Sequence, residues 1–235
     1  MVGGGYIKAK VNVLKYFLKI LNIRGQRRYA FRWLSSVRKG HLLDRRIPWI
    51  PYDAIEFLKK HVHNGAYVFE YGTGGSTLFW LSLDASCIAI EHDPEWYNVM
   101  RARLNSSDKI DYRLILPEKC HDQSQHLNCA DPDICVSSVP QFKGFNFINY
   151  VSQIDSFPDE YFDFVLIDGR ARPSCIKHSI KKVKINGILI VDDSDRLYYF
   201  SKTIAYLENF ERKRFYGVCP ALDSLKYTDV YRRVK

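Results

Sequence analysis

From residue 66 onward the chain alternates between two patterns. Short apolar runs, Tyr67–Phe69, Cys87–Ile90, Tyr112–Leu116, Phe162–Ile167 and Ile188–Val191, read as buried strands. Between them lie stretches with helical spacing: Leu78, Phe79 and Leu81, then Glu95–Leu104, Pro173 to about Lys184, and Leu197–Leu207. Pro173 suits a first helical turn, and Asn186-Gly187 is expected to close the helix it opens. Phe215–Val218 and Thr228–Arg232 read as two last strands with no helical pattern between them. Strands alternating with helices predict a mostly parallel sheet covered on both faces. No internal repeat or low-complexity tract is evident.

The chain before this region has a different character. Residues 6–24 place Val11, Leu14, Phe17, Leu18 and Leu21 at helical spacing with lysines between them. Two readings are open: a basic amphipathic helix in peripheral contact with an anionic membrane or a partner, or a helix packed on the domain with a solvated lysine face. Arg24 to Arg46 continues basic, with Tyr29, Phe31 and Trp33 interleaved. Pro48-Trp49-Ile50-Pro51 then makes a stiff entry to a helix over Tyr52–His61. This divides the chain into a basic helical N-terminal arm, 1–47, and a domain, 48–235, with a long irregular insertion at 117–149.

Charge sharpens that division. The net charge is +9 over 235 residues, but residues 1–46 hold twelve Lys/Arg and one acid, so the remainder is −2. A nucleic-acid footprint across the whole domain is disfavoured, although the arm could touch anions. Six cysteines do not make a disulfide scaffold at this size, and Cys87 and Cys175 fall in apolar patterns. No signal-peptide pattern or uninterrupted span-length apolar run is found, so a reducing, cytoplasmic setting is expected. The insertion carries Cys120, His121, His126, Cys129 and Cys135, but their spacing does not match paired zinc-ligand motifs. A substrate-side role, with Phe142, Phe145 and Phe147 tucking the insertion down, is the expectation.

The chemistry is expected around Glu70-x-Gly72-x-Gly74. Glycines let the backbone turn tightly and a ligand approach it, and the following helix points unpaired N–H groups at the same space. Ser76 or Thr77 could cap that helix. Glu91 ends the next strand, placed to meet ribose hydroxyls. A nicotinamide fingerprint would want glycine where Thr77 stands, and Glu70 suits a cationic ligand better than a pyrophosphate.

These residues resemble the cofactor loop of class I S-adenosylmethionine-dependent methyltransferases, with Ser76 where many members carry a third glycine. The resemblance implies that fold: α/β, a Rossmann-like, doubly wound, mostly parallel sheet with a C-terminal antiparallel hairpin. It implies that Glu70, Gly72, Gly74, Ser76, Glu91 and Asp168 bind S-adenosylmethionine, Glu70 near its methionine end and Glu91 at its ribose. Trp49 and Tyr52, beside the helix before the first strand, could line the pocket or be core. The resemblance runs from Pro48 to Asp195 and includes Ile167-Asp168-Gly169-Arg170-Ala171-Arg172 and Val191-Asp192-Asp193-Ser194-Asp195-Arg196.

Glu70, Glu91, Asp168, Asp192 and Asp193 would all gather at one sheet edge, where like charges crowd each other. Asp168, Asp192 and Asp193 resemble the ligands of metal-dependent catechol-type and sugar O-methyltransferases, with Asp193 where those families often have Asn. That implies a catalytic and metal-binding role for the three, with Mg²⁺ or Ca²⁺ lowering the pKa of a substrate hydroxyl. Alternatively Asp168 orients the cofactor or a base, while Asp192 and Asp193 cap the next helix. Arg170 and Arg172 could clamp a substrate carboxylate or phosphate, or only neutralise the acids. His178 reads as an ordinary surface or core histidine. The expected activity is methyl transfer to a hydroxyl of a sugar, glycan or small metabolite. The rivals are an RNA methyltransferase using the basic arm, and a non-catalytic scaffold.

Overall fold

A computed structural model describes residues 13–38, 40–104, 108–120 and 128–235. His121 and His126 lie outside the described residues, as do residues 6–12 of the first expected helix. The arm contains α1 (Val13–Asn22), α2 (Ala30–Ser36) and the single turn α3 (His41–Asp44), followed by α4 (Tyr52–His61). The sheet then begins with β1 (Tyr67–Tyr71), α5 (Gly75–Ser82), β2 (Ser86–Glu91), α6 (Pro94–Arg101) and β3 (Ile110–Leu114). The insertion holds a two-stranded ribbon, β4 (Glu118–Lys119) and β5 (Phe145–Asn146), and the turn α7 (Ile148–Val151). The chain returns through β6 (Phe162–Ile167), α8 (Arg172–Ser179), β7 (Val183–Asp192), β8 (Phe210–Val218) and β9 (Leu225–Arg233).

The seven-stranded sheet has the order β3-β2-β1-β6-β7-β9-β8. β3, β2, β1, β6 and β7 run parallel, while β9 pairs antiparallel with both β7 and β8. The chain winds outward from β1 to β3, then crosses back to lay β6 against the other side of β1. The direction of winding therefore reverses between β1 and β6, the place where open α/β sheets bind ligands. Burial explains the apolar runs: Val68, Phe69, Val165, Ile167, Leu189 and Val191 are fully covered because helices lie on both faces.

The arm shares the core on one face. Tyr16, Ile20, Trp33 and Tyr52 pack with Val68, Trp80, Leu166 and Val230. Trp33 Nε1 donates to the Leu222 carbonyl at 2.6 Å, and Gln26 accepts from the Val218 N–H at 2.9 Å. Tyr52 stacks on Tyr29, so it is core, while Trp49 is 45% exposed. α1 presents Tyr16 and Ile20 inward and leaves Leu14, Leu18 and Leu21 outward. Among the described residues no helix is long and apolar enough to cross a membrane.

Two expected helices are corrected. α8 ends at Ser179, and a short 3₁₀ turn (Ile180–Lys182) leads directly into β7. Asn186-Gly187 therefore does not close a helix. Pairing with β6 jumps from Phe162↔Val183 to Phe164↔Ile188, so both residues sit in a bulge of β7, with Asn186 left-handed at φ 65°. Leu197–Leu207 forms two 3₁₀ turns, Leu197–Tyr199 and Ile204–Leu207. Its successive aromatics find partners in different directions: Tyr198 on Ser138, Tyr199 on Arg172 and Phe200 on Tyr231. One helical stripe could not satisfy all three. β3 begins two residues before the expected run, at Ile110.

Candidate active site

β1 carries Glu70 to the switch point, where the side chain is fully buried. Its Oε2 accepts a 2.6 Å hydrogen bond from Thr77 Oγ1, while Oε1 has no hydrogen-bond partner. Burial pushes its pKa up to about 8, against the pull of the Ser76 and Thr77 hydroxyls, with the Asp168 and Glu91 charges adding to the rise. A cation presented to Oε1 would return this carboxyl to its ionised form.

The loop that follows is closely fitted. Gly72 adopts φ +84°, and a Cβ there would meet the Asp168 carbonyl and Gly169 Cα at 3.0 Å. The tips of β1 and β6 thus touch through bare backbone, and the Asp168 N–H donates to the Tyr71 carbonyl at 2.9 Å. Gly74, not Ser76 or Thr77, is the N-cap of α5; its N–H donates to Thr77 Oγ1 at 3.1 Å, tying the loop to the group that holds Glu70. Ser76 is buried in the first turn of α5. Gly75 is required from behind: a Cβ there would lie 2.0 Å from the Ile47 carbonyl oxygen of the arm.

Glu91, at the end of β2, is 2% exposed and engages both oxygens. Oε2 accepts from the Thr73 N–H and hydroxyl at 3.2 and 2.8 Å, and Oε1 from the N–H groups of His92 and Asp93 at 2.7 and 2.9 Å. Burial alone would raise its pKa, but His92, Asp93 and Thr73 hold it below the ordinary value. Glu91 is therefore an ionised clasp on the glycine loop. Trp96 Nε1 closes the same clasp on the Thr73 carbonyl at 2.8 Å, and Tyr112 Oη meets the Thr73 hydroxyl at 3.2 Å. Arg170 Nε donates to His92 Nε2 at 3.2 Å, and His92 Nδ1 lies 2.9 Å from Glu91 Oε1.

β6 and β7 bring Asp168, Asp192 and Asp193 together with three cations. Arg172, 7% exposed, donates to Asp168 Oδ1 at 2.9 Å and to the carbonyls of Asp168, Gly169 and Asp192. Arg172 also lies 3.5 Å from Asp193 Oδ2, which pairs with Arg196 at 3.1 Å, while Lys226 pairs with Asp193 Oδ1. Asp193 stands at φ 51°, a left-handed conformation that turns its carboxylate back onto these cations. Burial would raise its pKa, but Arg172, Lys226 and Arg196 hold it down. Asp192, 3% exposed, accepts from Thr228 Oγ1 at 2.6 Å; burial, then the Asp168 and Asp193 charges, push its pKa up to about 8. Asp168, whose side chain is 30% exposed, is raised by desolvation and by Asp193, with Arg172 opposing.

The expected metal triad thus comes together as an ion-pair cluster. Four of its six carboxylate oxygens are turned to Arg172, Lys226, Arg196 and Thr228, and among the described residues no group of three His, Cys, Asp or Glu side chains converges on a point that could hold an ion. The same holds for the insertion cysteines: Cys135 is buried, with its N–H on Ser174 Oγ at 3.2 Å, and Cys120 and Cys129 are free thiols. Arg172 serves the cluster and, with Arg170, borders a narrow cleft lined by Ser138, Val139, Arg196 and Tyr198. Phe147 is buried and Phe142 packs against it, so the insertion lies over the strand ends. His178 sits 2.7 Å from Asp155, away from this cleft.

No family model matches the chain, and no curated protein does. Solved structures do. An O-methyltransferase from Bacillus cereus in complex with S-adenosylhomocysteine is 14% identical, with a TM-score of 0.53 covering 93% of this chain and 90% of that one. A Klebsiella pneumoniae protein provisionally named an O-methyltransferase is 13% identical, with a TM-score of 0.56 covering 87% of this chain and 95% of that one. The fold is that of the class I S-adenosylmethionine-dependent methyltransferases.

Within the methyltransferase fold, the sequence pattern locates the acids but not their partners. Thr73 lies inside the glycine loop, while no motif marks Trp96 or Tyr112 as its partners. Lys226 and Arg196 reach Asp193 from β9 and from the loop after β7, and no local spacing linked Lys226 to the strand ends.

Proposed function

We propose that the protein transfers a methyl group from S-adenosylmethionine to a hydroxyl of a sugar, glycan or small metabolite. The carrying observation is the buried Glu70 carboxyl with one unpartnered oxygen, set at the switch point beside a glycine loop. That donor set fits a ligand with a cationic amino acid tail. The cofactor, when bound, supplies an electrophilic methyl on sulfur.

The chain's own residues do the rest. Glu70 answers the positive charge. Gly72 leaves backbone room, and Glu91, Thr73 and Trp96 hold the loop in shape. Asp168 is the carboxylate that accepts the acceptor's proton, because it stands at the switch point and is the most exposed of the three aspartates. Arg172 fixes its orientation. Orientation and charge placement carry most of the rate, as in-line methyl transfer needs little else.

A divalent Mg²⁺ or Ca²⁺ ion does not fit these carboxylates, because Arg172, Lys226 and Arg196 already supply the counter-charge. The reading is therefore methyl transfer that runs without one.

The test is calorimetric binding of S-adenosylhomocysteine to wild type and Glu70→Ala. A labelled-methyl screen against glycan, small-molecule and RNA pools follows, with Asp168→Ala as control. No cofactor binding would overturn the proposal and favour a scaffold. Labelling confined to RNA would favour the RNA reading.

A further inference from the structure

A second concave site lies on the far side of α5 from the strand ends, where the arm meets the sheet domain. It is a cavity of about 480 Å³ lined by Arg32, His41, Arg45, Arg46 and Lys59 over a floor of Ile47, Ile55, Phe79 and Leu83. None of the residues placed in the active site lines it, and no acid does. Four permanent cations repel one another across such a space, so their gathering needs a reason.

The fold holds them there. The backbone of α3 and its exit is pinned by bonds from Arg45 N to the His41 carbonyl and from Ile47 N to the Leu42 carbonyl, at 2.9 and 2.8 Å. Arg46 is kept at φ 54°, a conformation that side-chain-bearing residues avoid. Arg32 pairs with Glu56 and lies against the rings of Tyr29 and Tyr52. By contrast, among the described residues Arg45, Arg46 and Lys59 have no ion-pair partner, and all three are exposed at the cavity mouth. Burial, then Arg45 and Arg38, hold the His41 pKa down, with Asp44 opposing. A merely solvated basic face would be convex and would lack an apolar floor.

We propose that this cavity binds an organic phosphate. The phosphate or diphosphate sits on Arg45, Arg46 and Lys59, and the apolar part lies on the half-buried Ile47 and Leu83. Arginine forks and a lysine suit phosphate oxygens, and the volume falls in the range of small-molecule sites, well above that of a bare phosphate. The ligand could be a soluble phosphate ester or the headgroup of an anionic lipid; the outward Leu14, Leu18 and Leu21 of α1 belong to the same arm. Phe79 lies one turn along α5 from the glycine loop, so occupancy would press on the helix behind Glu70.

The experiment uses the full chain. Inorganic pyrophosphate is titrated calorimetrically at physiological ionic strength, and phosphatidylcholine vesicles with and without phosphatidate are co-sedimented. The proteins are wild type, the double variant Arg45→Glu/Arg46→Glu, and Lys59→Glu on the exposed side of α4. We expect saturable binding by wild type that weakens about tenfold or more in each variant, while thermal unfolding shows both still folded. Pyrophosphate binding identifies a soluble ligand, and phosphatidate-dependent sedimentation alone identifies a lipid headgroup. Absence of both overturns the proposal, as does equal binding by folded variants. Binding of single-stranded oligouridylate without either of the other two also overturns it, and assigns the arm to nucleic acid.

Discussion

Arg172 reaches back across the turn between β6 and α8 to Asp168, 2.9 Å away, while also donating to three backbone carbonyls at the ends of β6 and β7. One buried guanidinium thus fixes the spacing of the two strand tips that carry the aspartates. Replacing it with Met would leave Asp168 and Asp193 facing each other with less counter-charge. A loss of about 3–5 kcal/mol in urea-unfolding stability is expected, the usual cost of removing one partner of a buried pair. Arg172→Lys should recover only part of it, because an ammonium cannot span the same carbonyls.

Glu70 makes stability depend on pH in a direction that can be worked out. Its ordinary value is 4.5 and its folded value about 8, so the folded protein holds the proton more tightly. Its favourable contribution is complete below about pH 4.5 and is lost as pH rises through about 8. Asp192, also pushed up to about 8, acts in the same direction. Glu70→Gln cannot ionise, so its melting temperature should match wild type near pH 5 and exceed it by a few degrees near pH 8.5. A difference that stays flat between those pH values would show that Glu70 does not titrate as described.

Gly75 is where the arm presses on α5. A methyl group there would sit 2.0 Å from the Ile47 carbonyl oxygen, which cannot swing away as a side chain would. Gly75→Ala should cost about 2–3 kcal/mol by overpacking, or displace the arm. Displacement would appear as faster tryptic cleavage among the arginines of residues 24–46.

Asp168→Asn should lower kcat by about 10²–10⁴-fold, the usual contribution of a positioned base. Affinity for S-adenosylhomocysteine, measured by calorimetry, should stay within about threefold, because Glu70 and the glycine loop are untouched. A variant with full kcat would remove Asp168 from the chemistry.

Methyl transfer should persist within about twofold in excess chelator, since the aspartates are neutralised by the chain's own cations. Lys226→Ala should lower stability by exposing Asp193, and this loss should not be restored by added Mg²⁺. Recovery with Mg²⁺ would show that the cluster can be turned into a metal site.

The strands of the sheet and the Glu70-x-Gly72-x-Gly74 loop were legible because each is a local pattern. A buried parallel strand is apolar along its whole length, and a loop that lets backbone approach backbone needs glycine at Gly72. Those patterns also placed Glu91, Asp168, Asp192 and Asp193 at strand ends. What they could not say was how the acids are neutralised. Lys226 is 33 residues from Asp193, and they meet only because β9 returns antiparallel beside β7. The same return explains why a triad that reads as a metal site became an ion-pair cluster. It was likewise the packing of the arm against α5 that made Gly75 obligatory and walls one side of the open cationic cavity. Hydrophobic period and turn chemistry act over a few residues, so residue order alone places the strands and the acids that end them. Which charges face which depends on strand order, and that is a property of the folded sheet.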